Sequence, residues 1–276
     1  FFFLPFFRKL VERMELIPWA SRDTAKAMAT ESFYGGVNLK KGTSNGYFQD
    51  LTCDIEYTCR SGRLHNVKQT LPSRELAPLF SDVWTGSCVW ECALLTSRLI
   101  EEILKDRFEN KHVLELGAGC GLSAVVACSE TQVSSYVATD RGGMVDLARE
   151  NADRNLKKGS ETERFSCHDL SWDENLKEFS TLVGRDKFDI IVASDVINPI
   201  YGCESWPALA RTMAHFSVPS ETLIVLAYEQ RETEGPIEED ELLNYFWGEC
   251  KECGLRLEKT LLREGDCRFV FLLRKD

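Results

Sequence analysis

The sequence predicts an α/β fold built on a parallel sheet, and three stretches carry that expectation. Residues 112–116 form a short apolar run that ends in three alternating glycines, Gly117, Gly119 and Gly121. Residues 135–140 form a second apolar run, closed by Asp140. Residues 187–195 are a continuous apolar run bounded by charge, the pattern of a central strand covered on both faces. Strands of this kind alternating with helical stretches make a parallel sheet with helical crossovers.

Near the start of the chain, apolar positions at Leu4, Phe7, Leu10, Val11, Met14 and Ile17 repeat with a helical period that Pro18 ends. A second helix is expected over residues 24–33. Leu51, Cys53, Ile55 and Tyr57 alternate with polar residues, and a turn at Ser61-Gly62 leads into residues 64–69, which completes a β-hairpin. Pro72 and Pro78 mark a boundary, so residues 1–80 are expected to be an extension of helices and a hairpin, and residues 81–276 the main domain. A helix runs from about Val89 to about Lys105, with Trp90 in its first turn. Residues 122–128 suit a buried helix and residues 144–156 a second one. A strand is expected over 163–168, a helix over 204–216 and a strand over 222–228. The acidic stretch 232–241 is expected to open another helix, its acids placed where the helix dipole favours them. Residues 255–262 and 268–273 read as an antiparallel hairpin on the sheet edge.

Composition narrows the function. A chain of 276 residues with 43% hydrophobic content supports a real core. The apolar start, Phe1 to Phe7, meets charge at Arg8 and Lys9; it is too short to cross a bilayer and lacks a basic leader. It opens without Met, so the chain is expected to start inside a longer one, and the segment to dock as an amphipathic helix. Eleven cysteines are scattered, and only Cys250 and Cys253 form a CxxC, which reads as reduced cytosolic thiols. The four histidines, His65, His112, His168 and His215, lie far apart in sequence, so no metal is expected. The net charge of −11 comes without clusters of Lys and Arg, which argues against nucleic acid. A basic, lysine-bearing protein segment suits that field better.

The glycine stretch identifies a ligand class. A dinucleotide fingerprint needs a third small residue where this chain has Leu122. The pattern present is GxGxG with Glu115 two residues upstream, which fits a nucleoside carrying a short amino-acid tail and no pyrophosphate. S-adenosylmethionine is such a ligand, and the stretch resembles the first motif of the Rossmann-like methyltransferases; the alternative is a strand-to-helix turn with no ligand. Asp140 comes nineteen residues after Gly121, the position from which an acid at the tip of the second strand holds ribose hydroxyls. The alternative is a cap on the helix that begins near Gly143.

Thr85-Gly86-x-x-x-Trp90-x-x-Ala93, Glu115-x-Gly-x-Gly-x-Gly, Asp140, Leu170-x-Trp172 and Ser194-Asp195-Val-Ile stand in register. Together they resemble the seven-β-strand protein-lysine methyltransferases, family 16, over roughly residues 50 to 275. The resemblance implies a Rossmann-like seven-stranded sheet with an antiparallel C-terminal hairpin. It also implies a monomeric enzyme of cytoplasm or nucleus that methylates a lysine of a protein. By the same resemblance Trp90, Glu115, Gly117, Gly119, Gly121, Asp140, Trp172 and Ser194 hold S-adenosylmethionine. Trp172 borders the adenine, Ser194 contributes its backbone, and Asp195 faces the place of transfer.

The family usually reads Asp-x-x-Tyr after the fourth strand, whereas this chain has Asp195-Val-Ile-Asn198 and then Pro199-Ile-Tyr201. Asn198 is expected to take the catalytic place beside Asp195, or Tyr201 to supply the ring. Asn198-Pro-Ile-Tyr201 is also similar to the Asn-Pro-Pro-Tyr motif of enzymes that methylate planar amino groups, set three residues late. Small-molecule amine methylation and a non-catalytic binding module are therefore the competing functions.

Overall fold

A computed structural model describes residues 37–38, 54–69, 86–198, 201–202, 204–230, 236–264 and 267–276. The helices expected over 4–17 and 24–33 lie outside the described residues. The elements run β1 (Val37–Asn38), β2 (Ile55–Thr58), β3 (Leu64–Val67), α1 (Glu91–Glu102), α2 (Lys105–Phe108), β4 (His112–Leu116), α3 (Leu122–Glu130), β5 (Ser135–Asp140) and α4 (Gly143–Asn155). They continue β6 (Phe165–Asp169), α5 (Leu176–Val183), β7 (Ile190–Ser194), α6 (Ser205–Phe216), β8 (Leu223–Glu229), α7 (Glu241–Glu252), β9 (Leu255–Glu264) and β10 (Arg268–Lys275).

Seven strands form one sheet in the order β6-β5-β4-β7-β8-β10-β9. The first five are parallel, and β10 pairs antiparallel with both β8 and β9. This is the expected Rossmann-like methyltransferase sheet with its C-terminal hairpin. Alternation divides the strand residues between two cores. Leu114, Leu116, Ile191, Ala193, Ile224 and Leu226 pack against α5, α6 and α7. Val113, Tyr136, Ala138, Ile190, Val192 and Val225 pack against α1, α3 and α4. Both faces are covered, which is why these strands read as continuous apolar runs.

The N-terminal strands β1, β2 and β3 form a separate small sheet. Ile55, Tyr57, Cys59 and Val67 from it pack on Val126, Met144 and Leu147 of α3 and α4. Buried polar contacts fix the docking. The Tyr57 hydroxyl donates to Glu101 Oε1 at 2.5 Å, and Arg63 grips Glu161 through two bonds of 2.7 Å. Asn151, wholly buried on α4, accepts from Lys68 N–H and donates to the Lys68 carbonyl and to the Cys120 carbonyl. It therefore joins the hairpin to the glycine turn.

Three expectations need correction. The helix expected to reach Lys105 ends at Glu102 and a short one restarts at Lys105. Trp90 is the N-cap of α1 rather than part of its first turn. α5, in a stretch to which the sequence analysis assigns no element, starts after Asn175 and stops at Gly184, both left-handed. Glu238 and Glu239 lie in a single 3-10 turn before α7, and Asp240 caps that helix by accepting from Leu243 N–H at 2.8 Å. Among the described residues no helix is long and apolar enough to cross a membrane.

Candidate functional site

The sheet reverses its winding at β4. The chain builds outward through β5 and β6, then crosses back to lay β7 on the other side of β4. In open α/β sheets such a switch point leaves a crevice beyond the carboxyl ends of the two strands. The glycine turn leaves the end of β4 at this crevice, and residues Asp195 to Asn198 leave the end of β7.

Gly117, Gly119 and Gly121 all have positive φ, at 77°, 51° and 77°, a region that side chains rarely tolerate. Each is also crowded. A Cβ on Gly117 would lie 2.6 Å from Val196 Cγ1 and 3.8 Å from Trp172, and one on Gly119 would lie 2.9 Å from the Gly86 carbonyl. A Cβ on Gly121 would lie 3.2 Å from Ala148 of α4. The three glycines let the turn press against β7's exit, the 86–90 segment and α4, and so draw those pieces around the crevice.

Asp140 stands at the tip of β5. Its Oδ2 accepts from Gly119 N–H and its Oδ1 from Arg141 N–H, both at 2.7 Å. It does not cap α4, whose N-cap is Gly142 with no side-chain bond. Desolvation raises its carboxyl above the ordinary range, while the two N–H donors pull it back. A carboxylate has about four lone-pair directions, so Asp140 keeps acceptor capacity for hydroxyl donors in the crevice. Trp172 stands beside Gly117, and its ring meets Tyr201 edge to face at 6.4 Å. Together they make an aromatic corner at the crevice.

Ser194 closes β7, and its hydroxyl is hydrogen-bonded to Thr96 of α1 at 2.7 Å, so its side chain is occupied. Asp195 comes next, with φ of 60° and 7% exposure. A left-handed non-glycine residue at a strand end is uncommon, and Asp and Asn are the residues that tolerate it. Its N–H is held by the Ala227 carbonyl at 2.9 Å. Burial and the Asp195 charge push the Cys88 thiol up to about 12. Asn198 is half-buried, and its carbonyl accepts from Tyr201 N–H at 3.1 Å, which folds Tyr201 back toward the site. Gly86, four residues before Trp90, packs on Gly119 and accepts from the Cys120 thiol.

Glu115 departs from the expected group. Alternation turns it onto the α1, α3 and α4 face, where it is 2% exposed. Burial raises its carboxyl to about 8, with Tyr136 and Ser123 drawing it partly back. Its Oε2 and the Tyr136 hydroxyl are both buried and meet no hydrogen-bond partner closely. Glu115 sits beneath the turn and not in the crevice.

Sequence reasoning missed Thr96, Val196 and Asn151. Asn151 alone left a signal, an amide on the apolar side of an amphipathic helix.

A family model described as lysine methyltransferase matches residues 81–243. The chain belongs to the lysine methyltransferase family. Within that family it is 30% identical over 151 residues to a protein N-lysine methyltransferase METTL21A of Xenopus tropicalis, covering 55% of this chain and 64% of that one. It is 30% identical over 164 residues to a protein N-terminal and lysine N-methyltransferase EFM7 of Cryptococcus neoformans var. neoformans serotype D, covering 58% and 52%. The chain thus spans between 52% and 64% of the length of these two relatives. It is 25% identical over 208 residues to an EEF1A lysine methyltransferase 3 of Xenopus tropicalis, covering 66% and 85%. A solved structure from Streptococcus mutans, described as a candidate SAM-dependent methyltransferase, superposes with a TM-score of 0.52 at 12% identity. It covers 84% of this chain and 58% of that one, a likeness of fold. The family match spans the glycine turn, Asp140, Trp172 and the β7 exit, the residues that the switch point gathers.

Proposed function

We propose that this chain is an S-adenosylmethionine-dependent protein-lysine N-methyltransferase. The observation that carries the reading is the contact between the glycine turn after β4 and Val196 after β7. It closes a crevice with a carboxylate on one side, Asp140, and an aromatic corner on the other, Trp172 with Tyr201. The residues fit the cofactor: Asp140 keeps acceptors for ribose hydroxyls, Trp172 offers a flat apolar wall for adenine, and the turn exposes backbone close to a ligand. Glu115 has no place in that contact set; its role would be to support the turn from beneath. When bound, the cofactor supplies an electrophilic methyl group on a sulfonium.

The protein's remaining work is to present a neutral amine. An exposed lysine has a pKa of about 10.4, and moving it into a partly apolar crevice disfavours the charged form. Asp195 and Asn198, at the end of β7, would receive hydrogen bonds from the amine and aim its lone pair, while its proton leaves through water. Aligning the reacting groups in this way can supply as much as about 7–11 kcal/mol of the barrier. The names of METTL21A, EFM7 and the EEF1A enzyme support a protein lysine as acceptor, and a net charge of −11 suits a basic segment.

The test is incubation of lysate with the purified chain and methyl-labelled cofactor. Label in a few protein bands, mapped by mass spectrometry to lysine, is the expected result. Label confined to small molecules, or no transfer despite cofactor binding, would overturn the reading.

A further inference from the structure

We infer that Cys59, His65 and Glu130 form a divalent-cation site, best suited to Zn²⁺, that fastens the N-terminal hairpin to the C-terminal end of α3. The Cys59 sulfur, a ring nitrogen of His65 and a carboxylate oxygen of Glu130 all lie within 4.8 Å of one another. Tetrahedral zinc holds such atoms about 3.5 Å apart, so closing onto the ion needs side-chain shifts of about an ångström. A soft sulfur, an imidazole and a carboxylate together favour zinc over the hard cations.

The neighbours of each ligand favour this use. The Ser129 hydroxyl lies 3.2 Å from the Val126 carbonyl, to which it can donate, and 3.0 Å from His65 Nε2. With Ser129 donating to that carbonyl, Nε2 donates to Ser129 and Nδ1 carries the lone pair. Nδ1 is buried with no hydrogen bond, in a side chain of 0% exposure. A metal-binding histidine ordinarily donates its other ring N–H to an acceptor in this way.

Glu130 Oε1 accepts from the Ser61 hydroxyl at 3.0 Å, which orients the carboxylate beside the Cys59 thiol. Cys59 is 3% exposed, and burial together with the carboxylates of Glu101 and Glu130 holds its thiol well above the usual range. A cation there reverses that balance: the thiol gives its proton to water, and the thiolate takes the ion in its place. The nearby cations are already engaged, Arg63 by Glu161 and Arg98 by Glu101. A water completes the tetrahedron.

The cluster is separate from the proposed methyl-transfer crevice. α3 begins at the glycine turn and ends at Glu130, so its nine residues set the two sites about 12 Å apart along one axis. The role is structural: residues separated by up to 71 positions in sequence are held by one ion in addition to their packing.

The experiment strips the full chain of metal with a chelator, dialyses it, and titrates it with Co²⁺ as a spectroscopic probe. The expected result is a thiolate-to-cobalt charge-transfer band with tetrahedral d–d bands, saturating at one equivalent and bleached by Zn²⁺. Cys253→Ser should keep the charge-transfer band and Cys59→Ser should remove it. Glu130→Gln retains the Ser61 acceptor and should fold normally by circular dichroism. It should bind cobalt at least tenfold more weakly and lose the rise in melting temperature that Zn²⁺ gives the parent chain. A folded parent chain with no charge-transfer band at one equivalent, a band that survives Cys59→Ser, or unchanged affinity in Glu130→Gln would each overturn the assignment.

Discussion

Gly117 and Val196 meet across the switch point so closely that a Cβ on the glycine would stand 2.6 Å from Val196 Cγ1. Gly117→Ala therefore carries two separable costs. Overpacking against the valine costs about 1–3 kcal/mol, and the left-handed backbone at φ of 77° costs about 1–2 kcal/mol. Adding Val196→Ala should recover the first cost and not the second. Urea denaturation of the two single variants and the double variant measures the split, and additive losses would show that the contact is not tight.

Asp140 accepts one N–H on each oxygen, from Gly119 and from Arg141. In Asp140→Asn one oxygen becomes an NH₂ that faces a backbone donor, and the charge that would hold ribose hydroxyls is lost. A hydrogen bond to a charged group is worth about 1.5–3 kcal/mol, so cofactor affinity should fall about ten- to hundredfold. Calorimetric titration with S-adenosylmethionine gives the number. An unchanged affinity would place the ribose elsewhere.

The sheet was legible because its central strands are buried on both faces and leave unbroken apolar runs, as in β7. The crevice was legible through spacing: the glycines, Asp140 and the β7 exit fall at fixed intervals along one α/β unit. The reason for the glycines was not. Spacing suggests room for a ligand, whereas Gly117, Gly119 and Gly121 are small first because Val196, Gly86 and Ala148 press against them. The direction of Glu115 was not legible, because a motif records order only; strand alternation turns its side chain inward, away from the glycines beside it. β1 has two residues, too few to show a period. Cys59, His65 and Glu130 share no sequence motif, and only the docking of the hairpin on α3 brings them together.

Glu115 makes stability depend on pH. Its carboxyl rises from an ordinary value of 4.5 to about 8 in the fold. Between those values the folded chain keeps a proton that the unfolded chain has released, so stability falls as pH rises, by up to about 1.4 kcal/mol per pH unit. The loss is complete above about pH 8 and absent below the unfolded value. Glu115→Gln preserves the shape without the proton, so its stability should change less between pH 5 and 8 than that of the parent chain. Urea midpoints across that range decide it; parallel slopes would mean that Glu115 is ionised in the fold.

Asp195 is best tested by Asp195→Asn, because asparagine also tolerates the left-handed backbone at φ of 60°. A β-branched replacement would confuse strain with chemistry. With the fold kept and the charge removed, cofactor affinity should stay within about threefold while turnover falls about 10²–10⁴-fold, the range for a group that handles a proton or orients its acceptor. Cys88 reports on the charge independently: the Asp195 carboxylate helps hold its thiol at about 12, so thiol titration should shift downward in the variant. A lowered Cys88 value with unchanged turnover would mean that the charge was removed and was not needed, and the amine would then be positioned by Asn198 or the Tyr201 ring instead.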